Sequence, residues 1–175
     1  MADNNIVTWH SSYSVGIPLI DEQHKELINL TNKLFTSCIQ GKESSKVIFM
    51  RTIRGTVDYV GYHFGTEEKV MERINYPGLP SHKKEHTDFV KEVLHEVEEF
   101  KNGKKFTPIS FVHYLKDWVL THIAVTDKLM GDYILNMKRT GAINKVKLKV
   151  KAVTHTEEDA NDPTKVNTSK RFVIE

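Results

Sequence analysis

His63 and Glu67 stand four residues apart, as do His82 and His86, with the chain-breaking run Tyr76-Pro77-Gly78-Leu79-Pro80 between the two pairs. Residues four apart lie one above the other on a single helix face. Each pair can therefore aim two donor groups at one point, and neighbouring antiparallel helices would bring the two points together inside a bundle. Imidazole with carboxylate suits iron, manganese or zinc. The absence of clustered thiolates, with Cys38 the only cysteine, argues against iron–sulfur chemistry.

The elements that must carry these donors follow from apolar periodicity. Residues 1–18, with Trp9, Tyr13, Gly16 and Pro18, are too short and broken for a helix and read as an arm packed on the body. A first helix, about 19–40, shows the stripe Ile20, His24, Leu27, Thr31, Leu34, Cys38 and stops near Gly41. A second, about 44–75, carries Phe49, Ile53, Val57, Val60, Phe64, Val70, Met71 and Ile74. Ser81 reads as the N-cap of a third, about 81–102, with Phe89, Val90, Val93, Val97 and Phe100 on its stripe. The fourth, about 108–138, holds Phe111, Leu115, Trp118, Val119, Ile123, Leu129, Met130, Tyr133 and Met137. Four amphipathic helices with short links predict an all-α, antiparallel up-down-up-down four-helix bundle over residues 1–138. Residues 139–175 form an extension, where Lys145-Val-Lys-Leu-Lys-Val-Lys151 alternates as a strand does. A hairpin of 145–153 with 171–175 is expected there.

Polar residues that fall on the apolar stripes are His24, His63, Glu67, His82, His86, His122 and Asp127. Alone, His24 would most often be a hydrogen-bonded core histidine, and the His63/Glu67 pair an ordinary helix contact. Together they place inward donors on all four helices. Seven donors are too many for one tetrahedral zinc and suit two six-coordinate metals sharing bridging carboxylates. His95 and His113 lie nine residues from His86 and His122, half a turn away at about 100° per residue. They face outward, and His10 and His155 lie in the arm and the extension. The spacing from His122 to Asp127 is five residues, about 140° on an ideal helix. Either the carboxylate reaches round, or a π-bulge aligns the two.

Composition narrows the setting. The 175 residues hold no long apolar run, and the N-terminus lacks the build of a signal peptide. One cysteine fits a reducing compartment, so cytoplasm is the expected location and no membrane partner is expected. Residues 1–137 carry 16 basic and 18 acidic side chains, net −2, and residues 138–175 carry 9 and 5, net +4. A nearly neutral body gives no footprint for nucleic acid.

The runs Trp9…Ser14-Val15-Gly16-Ile17…Ile20-Asp21-Glu22-Gln23-His24-Lys25, His63-Phe64-x-x-Glu67-Glu68-x-x-Met71…Tyr76-Pro77, His82-x-x-x-His86-x-x-Phe89 and Trp118-x-x-x-His122-Ile123-x-x-x-Asp127 resemble those of the bacterial hemerythrins. The resemblance covers about residues 7–135. It implies two iron ions per chain with an oxo or hydroxo bridge. His82, His86 and His122 would bind one iron and His24 and His63 the other, with Glu67 and Asp127 bridging both. The first iron is then six-coordinate and the second five-coordinate, leaving a position for dioxygen. Phe64, Trp118, Val119 and Ile123 are expected to wall the oxygen pocket; the family more often has leucine where Val119 stands. The implied function is reversible dioxygen binding for storage, delivery or buffering, with peroxidase-like activity weak at most. An oxygen or redox sensor acting through the extension is the first alternative, and a di-iron peroxidase or nitric-oxide-handling enzyme the second. Oxygen-activating di-iron bundles use four Glu with two Glu-x-x-His motifs, a set that this chain does not match.

Overall fold

Four apolar stripes leave water by facing one another, and here they do so as an antiparallel four-helix bundle. The computed structural model describes residues 5–39, 45–102, 108–145, 150–158 and 166–174. The helices are α1 (Pro18–Ile39), α2 (Ser45–Arg73), α3 (Leu79–Lys101) and α4 (Pro108–His122). A π turn (Ile123–Asp127) joins α4 to its continuation, α5 (Lys128–Arg139).

Local chemistry sets the ends that matter for the site. α2 stops where Asn75 takes a left-handed φ of 51°, a conformation asparagine tolerates better than most residues. The Asn75 and Tyr76 N–H groups then donate back to the carbonyls of Glu72 (3.2 Å) and Met71 (2.9 Å), closing the helix. α3 starts at Leu79, earlier than a Ser81 cap would allow. Pro80 fits the first turn because that turn needs no N–H from it, and Gly78 takes the cap position. Ser81 lies inside the first turn, where its hydroxyl donates to the Gly78 carbonyl at 2.9 Å.

The core divides into two apolar clusters with the polar residues between them. One holds Leu27, Phe64, Phe89, Val119 and Ile123; the other holds Val15, Ile20, Val70, Met71 and Met130. Along α1 the chain passes from Ile20 through His24 to Leu27, and along α2 from Phe64 through Glu67 to Val70. The clusters are thus met in opposite order on successive helices, as antiparallel packing demands. The helix after His122 also corrects one expectation. Leu129 is 61 % exposed, because the π turn inserts a residue and shifts the stripe to Met130, Gly131 and Ile134.

The N-terminal arm is buckled onto the bundle at two places. Asn32 bonds both the N–H (3.1 Å) and the carbonyl (2.8 Å) of Val7. Asp21 accepts from the Ser14 hydroxyl (2.7 Å) and the Val15 N–H (2.8 Å), while the Lys128 ammonium donates to the Ser14 carbonyl (2.6 Å). Val15 is fully buried against Gly131, where any Cβ would lie 2.6 Å from the Val15 carbonyl oxygen.

In the extension, β1 (Val150–Glu158) pairs antiparallel with β2 (Val166–Ile174), Val150 opposite Ile174 and Glu158 opposite Val166. The pairing lies further along the sequence than the expected 145–153 with 171–175, joining 150–158 to 166–174. Lys145 instead closes a short 3-10 helix (Ala142–Lys145), and 146–149 lie outside the described residues. Alternation of apolar residues fades after Val153, but backbone pairing does not require an apolar face, and the β-branched Thr154 and Thr156 continue the strand. No helix among the described residues is long and apolar enough to cross a membrane.

Candidate metal centre

Each helix contributes to one buried cluster at the level between the two apolar layers. His24 comes from α1, His63 and Glu67 from α2, His82 and His86 from α3, His122 from the end of α4, and Asp127 from the end of the π turn. None of the seven is more than 4 % exposed. The π turn decides the last pair: with one extra residue in the turn, His122 and Asp127 share a face, and His122 Nε2 lies 3.1 Å from Asp127 Oδ1.

The donors fall into two overlapping sets, Glu67, His82, His86, His122 and Asp127 in one, His24, His63, Glu67 and Asp127 in the other. The Nε2 atoms of His82, His86 and His122 form a triangle with edges of 3.1, 3.1 and 3.3 Å. Donors about 2.1 Å from a common metal would stand about 3.0 Å apart at right angles and about 3.4 Å apart at tetrahedral angles. Two edges match the right-angled arrangement and the third falls between.

The two carboxylates connect the sets. Asp127 turns Oδ1 toward His82 (3.2 Å) and His122 (3.1 Å), and Oδ2 toward His24 (3.1 Å). Glu67 turns Oε2 toward His86 (3.3 Å) and His82 (3.4 Å), and Oε1 toward His24 (3.7 Å). Both Asp127 oxygens, both Glu67 oxygens and the Nε2 atoms of His24 and His63 nevertheless lack a hydrogen-bonding partner with proper alignment. Buried polar atoms left this way are costly unless something else satisfies them. Lone pairs that converge on shared points, rather than on one another, fit cations, and the donor set suits iron.

The electrostatics carry the same strain. Burial works to lower the His24 pKa, but the adjacent Asp127 and Glu67 carboxylates outweigh it and raise it to about 9. His82 is likewise raised to about 9 against burial by Asp127 and Glu67. For His63 burial wins over the Glu67 charge, and the pKa falls to about 4. Burial pushes the Glu67 and Asp127 carboxyls up, and Glu67 adds to this at Asp127, yet the surrounding imidazoles hold both well below the usual carboxylate range.

A second ring of side chains was invisible to stripe reading. His63 Nδ1 meets the Gln23 side-chain oxygen (3.1 Å), His86 Nδ1 meets Glu68 (3.2 Å) and His122 Nδ1 meets Glu85 (3.0 Å). Gln23 precedes His24, Glu68 follows Glu67 and Glu85 precedes His86, so each partner sits one residue from a ligand candidate on its own helix. That offset of about 100° places them at the stripe's edge, which periodicity assigns to solvent. The available signal was a polar side chain directly beside an inward donor.

Phe64, Val119 and Ile123 are buried and Trp118 half-buried. All four line a small cleft that His63, His122 and Asp127 also border, joined by Leu27 and Val60, which the sequence did not single out as walls. Phe64 stacks on the His86 ring (3.6 Å, 5°) and Trp118 on the His122 ring (4.5 Å, 13°), fixing both imidazole planes. His10, His95 and His113 lie at the surface, away from the cluster; the His155 side chain lies outside the described residues.

An antiparallel four-helix bundle whose mid-section buries five imidazoles and two carboxylates is a metal-binding helical bundle of the non-haem type. Comparison with known proteins gives the same answer. Residues 15–134 match the family model of the hemerythrin HHE cation binding domain. The chain is 28 % identical over 127 residues to the bacteriohemerythrin of Methylococcus capsulatus, covering 72 % of this chain and 95 % of that one. It is 31 % identical to the bacteriohemerythrin of Pseudomonas aeruginosa over 69 % of this chain and 76 % of that one. A crystal structure of wild-type hemerythrin superposes with a TM-score of 0.67 at 27 % identity, covering 73 % of this chain and 96 % of that one. The chain belongs to the hemerythrin family.

Proposed function

We propose that this protein binds dioxygen reversibly at a non-haem di-iron centre, serving storage, delivery or buffering. His82, His86 and His122 would hold one iron and His24 and His63 the other, with Glu67 and Asp127 as the carboxylates shared between them and an oxo or hydroxo bridge completing the set. The observation that carries this reading is the orientation of Asp127, whose two oxygens face different histidine groups at 3.1–3.2 Å. A carboxylate serving one metal would not need to divide its oxygens between two sets. Counting donors gives six on the three-histidine side and five on the other, so the open position belongs to His24 and His63. When bound, the iron pair would supply that position and one electron from each ion for reversible dioxygen binding.

The chain's own part is to shape and dry the space around the open position. Leu27, Val60, Phe64, Val119 and Ile123 present only carbon to the cleft. Apart from the ligand candidates themselves, no described residue lining the cleft has an ionisable side chain. A general acid to drive cleavage of the oxygen–oxygen bond is therefore lacking on this wall, which favours binding over turnover. Five neutral imidazoles with only two carboxylates also stabilise high-valent iron less than a carboxylate-rich site would. Val119, smaller than the leucine more common in the family, widens the cleft and should speed exchange of the ligand.

The test is anaerobic loading with ferrous iron, then cycles of air and argon followed by absorption. A charge-transfer band that comes and goes with oxygen supports a carrier, and one that forms once and decays with a reductant consumed supports a peroxidase-type enzyme. The paired strands β1 and β2 lie beyond the family match at 15–134 and favour a sensor as second reading. A partner held by the full chain and lost on truncation after residue 137 would support it.

A further inference from the structure

The π turn is the least ordinary piece of backbone in the bundle, and its survival requires a cause. Such turns are rare, short, and give way to α-helix unless something holds them. A regular helix through 122–127 would swing Asp127 about 140° away from His122 and undo the connection between the two donor sets. Among the described side chains that meet this turn, Glu85 of α3 occupies a special place. Its Oε2 lies 3.0 Å from His122 Nδ1, where the turn begins, and accepts from the Thr126 hydroxyl at 2.8 Å, one residue before it ends.

We propose that Glu85 is a positioning residue that sets the register of the π turn, holding His122 and Asp127 on one face through a single carboxylate oxygen. An ionised carboxylate only accepts, so His122 must present Nδ1–H to it and keep the Nε2 lone pair directed at the cluster. The same contact therefore selects both the ring tautomer and the backbone register. Glu68 and Gln23 do not substitute. Glu68 meets His86 and is itself held by Lys83 (2.8 Å), and Gln23 meets His63 and Thr66, so their polar groups are committed elsewhere than to the turn. Lys128 and Gly131 anchor α5 to the arm through Ser14 and Val15, downstream of the turn, and leave its register to Glu85. Glu85 is also half exposed, so replacing it leaves the core untouched.

This inference deepens the di-iron reading and rests on it only for its metal readout. The experiment compares the full metal-loaded chain with Glu85→Ala, Thr126→Val and Glu85→Gln. Two quantities are read: amide hydrogen exchange across 123–128, and the rate at which a chelator strips the metal. Glu85→Ala should speed exchange in that segment and strip metal roughly 10–100-fold faster, the usual scale for losing a partner behind a ligand. Thr126→Val should reproduce the exchange change with a smaller effect on metal, since His122 keeps its partner. Glu85→Gln should restore most of both, because an amide oxygen still accepts from both donors. Unchanged exchange in Glu85→Ala overturns the proposal, and so does a Glu85→Gln chain as impaired as Glu85→Ala, which would make charge rather than register the role. A parent chain that holds no stoichiometric metal overturns the di-iron reading instead, and exchange alone then decides for or against Glu85.

Discussion

The two histidine groups of the cluster meet the same two carboxylates but are built differently. His82 and His86 stand on one helix, one turn apart, and His122 closes their triangle from α4. Two of these three rings lean on anionic partners, Glu68 and Glu85, and two are clamped flat by Phe64 and Trp118. His24 and His63 come from separate helices and meet edge to face at 5.0 Å, with one neutral amide partner, Gln23, between them. The apolar cleft is bordered by one ring from each group, His63 and His122. The first group is thus rigid and electron-rich; the second is held more lightly and carries the proposed open position. One region grips; the other receives.

The largest effect should come from removing Glu67, the proposed bridge between the groups. Glu67→Ala should leave the chain unable to retain its iron pair, and its melting temperature should fall to that of the chelator-treated protein. A metal bound at a thousandfold excess over its dissociation constant adds about 4 kcal/mol to folding, so the gap between loaded and stripped wild type should span many degrees. Two irons retained by Glu67→Ala, or equal melting of loaded and stripped wild type, would count against the bridging assignment.

Next, substitution within each group should separate gripping from receiving. His63→Ala should lose dioxygen binding while keeping metal on the three-histidine side, read as about one iron per chain by metal analysis. His86→Ala should deplete that side first. If both variants lose the same metal and the same oxygen band, the two groups are not distinct.

The fall in stability above pH 6.5 should disappear on loading. In the stripped chain His24 and His82 bind protons more tightly folded, about 9, than unfolded, 6.5. Their stabilisation is complete below pH 6.5 and lost as pH rises to about 9. His63 works the other way: its folded value of about 4 lies below 6.5, so stability falls as pH drops from 6.5 to 4. Glu67 and Asp127, held low, add further loss in acid below the normal carboxylate range. The stripped chain should therefore be most stable near pH 6.5. Iron must displace the protons on His24 and His82, so metal affinity should rise between pH 6.5 and 9, checked by proton release on loading. A stripped-chain optimum at pH 9 would refute the assignment of charge.

The smallest effect is on the scaffold of the receiving side. Gly131→Ala would drive a Cβ to within 2.6 Å of the Val15 carbonyl oxygen, pushing the arm off α5 beside Ile20. A loss of about 1–3 kcal/mol in chemical denaturation is expected, with metal content kept. An unchanged midpoint would show that the arm yields without cost.

Much of this was legible beforehand because helices impose a period on their buried faces. Donors such as His24, Glu67 and His122 stood out as polar residues in apolar stripes, and their two pairs at spacing four needed only a helix to converge. The five-residue step from His122 to Asp127 announced that something irregular was required, without saying what. What periodicity could not reveal lay one residue off the stripe or between helices: the Nδ1 partners Gln23, Glu68 and Glu85, the cleft walls Leu27 and Val60, and the outward turn of Leu129. The start of α3 at Leu79 likewise depended on Pro80 fitting a first turn rather than on the serine that follows.

By itself, then, the amino-acid order determined which residue types face inward and on which helix, since that depends only on local rotation per residue. Tertiary structure alone decided how Asp127 divides its oxygens between two histidine groups and how Glu85 reaches across from α3 to hold the π turn. Those relations depend on the distance between helices, and no spacing along a single chain encodes that distance.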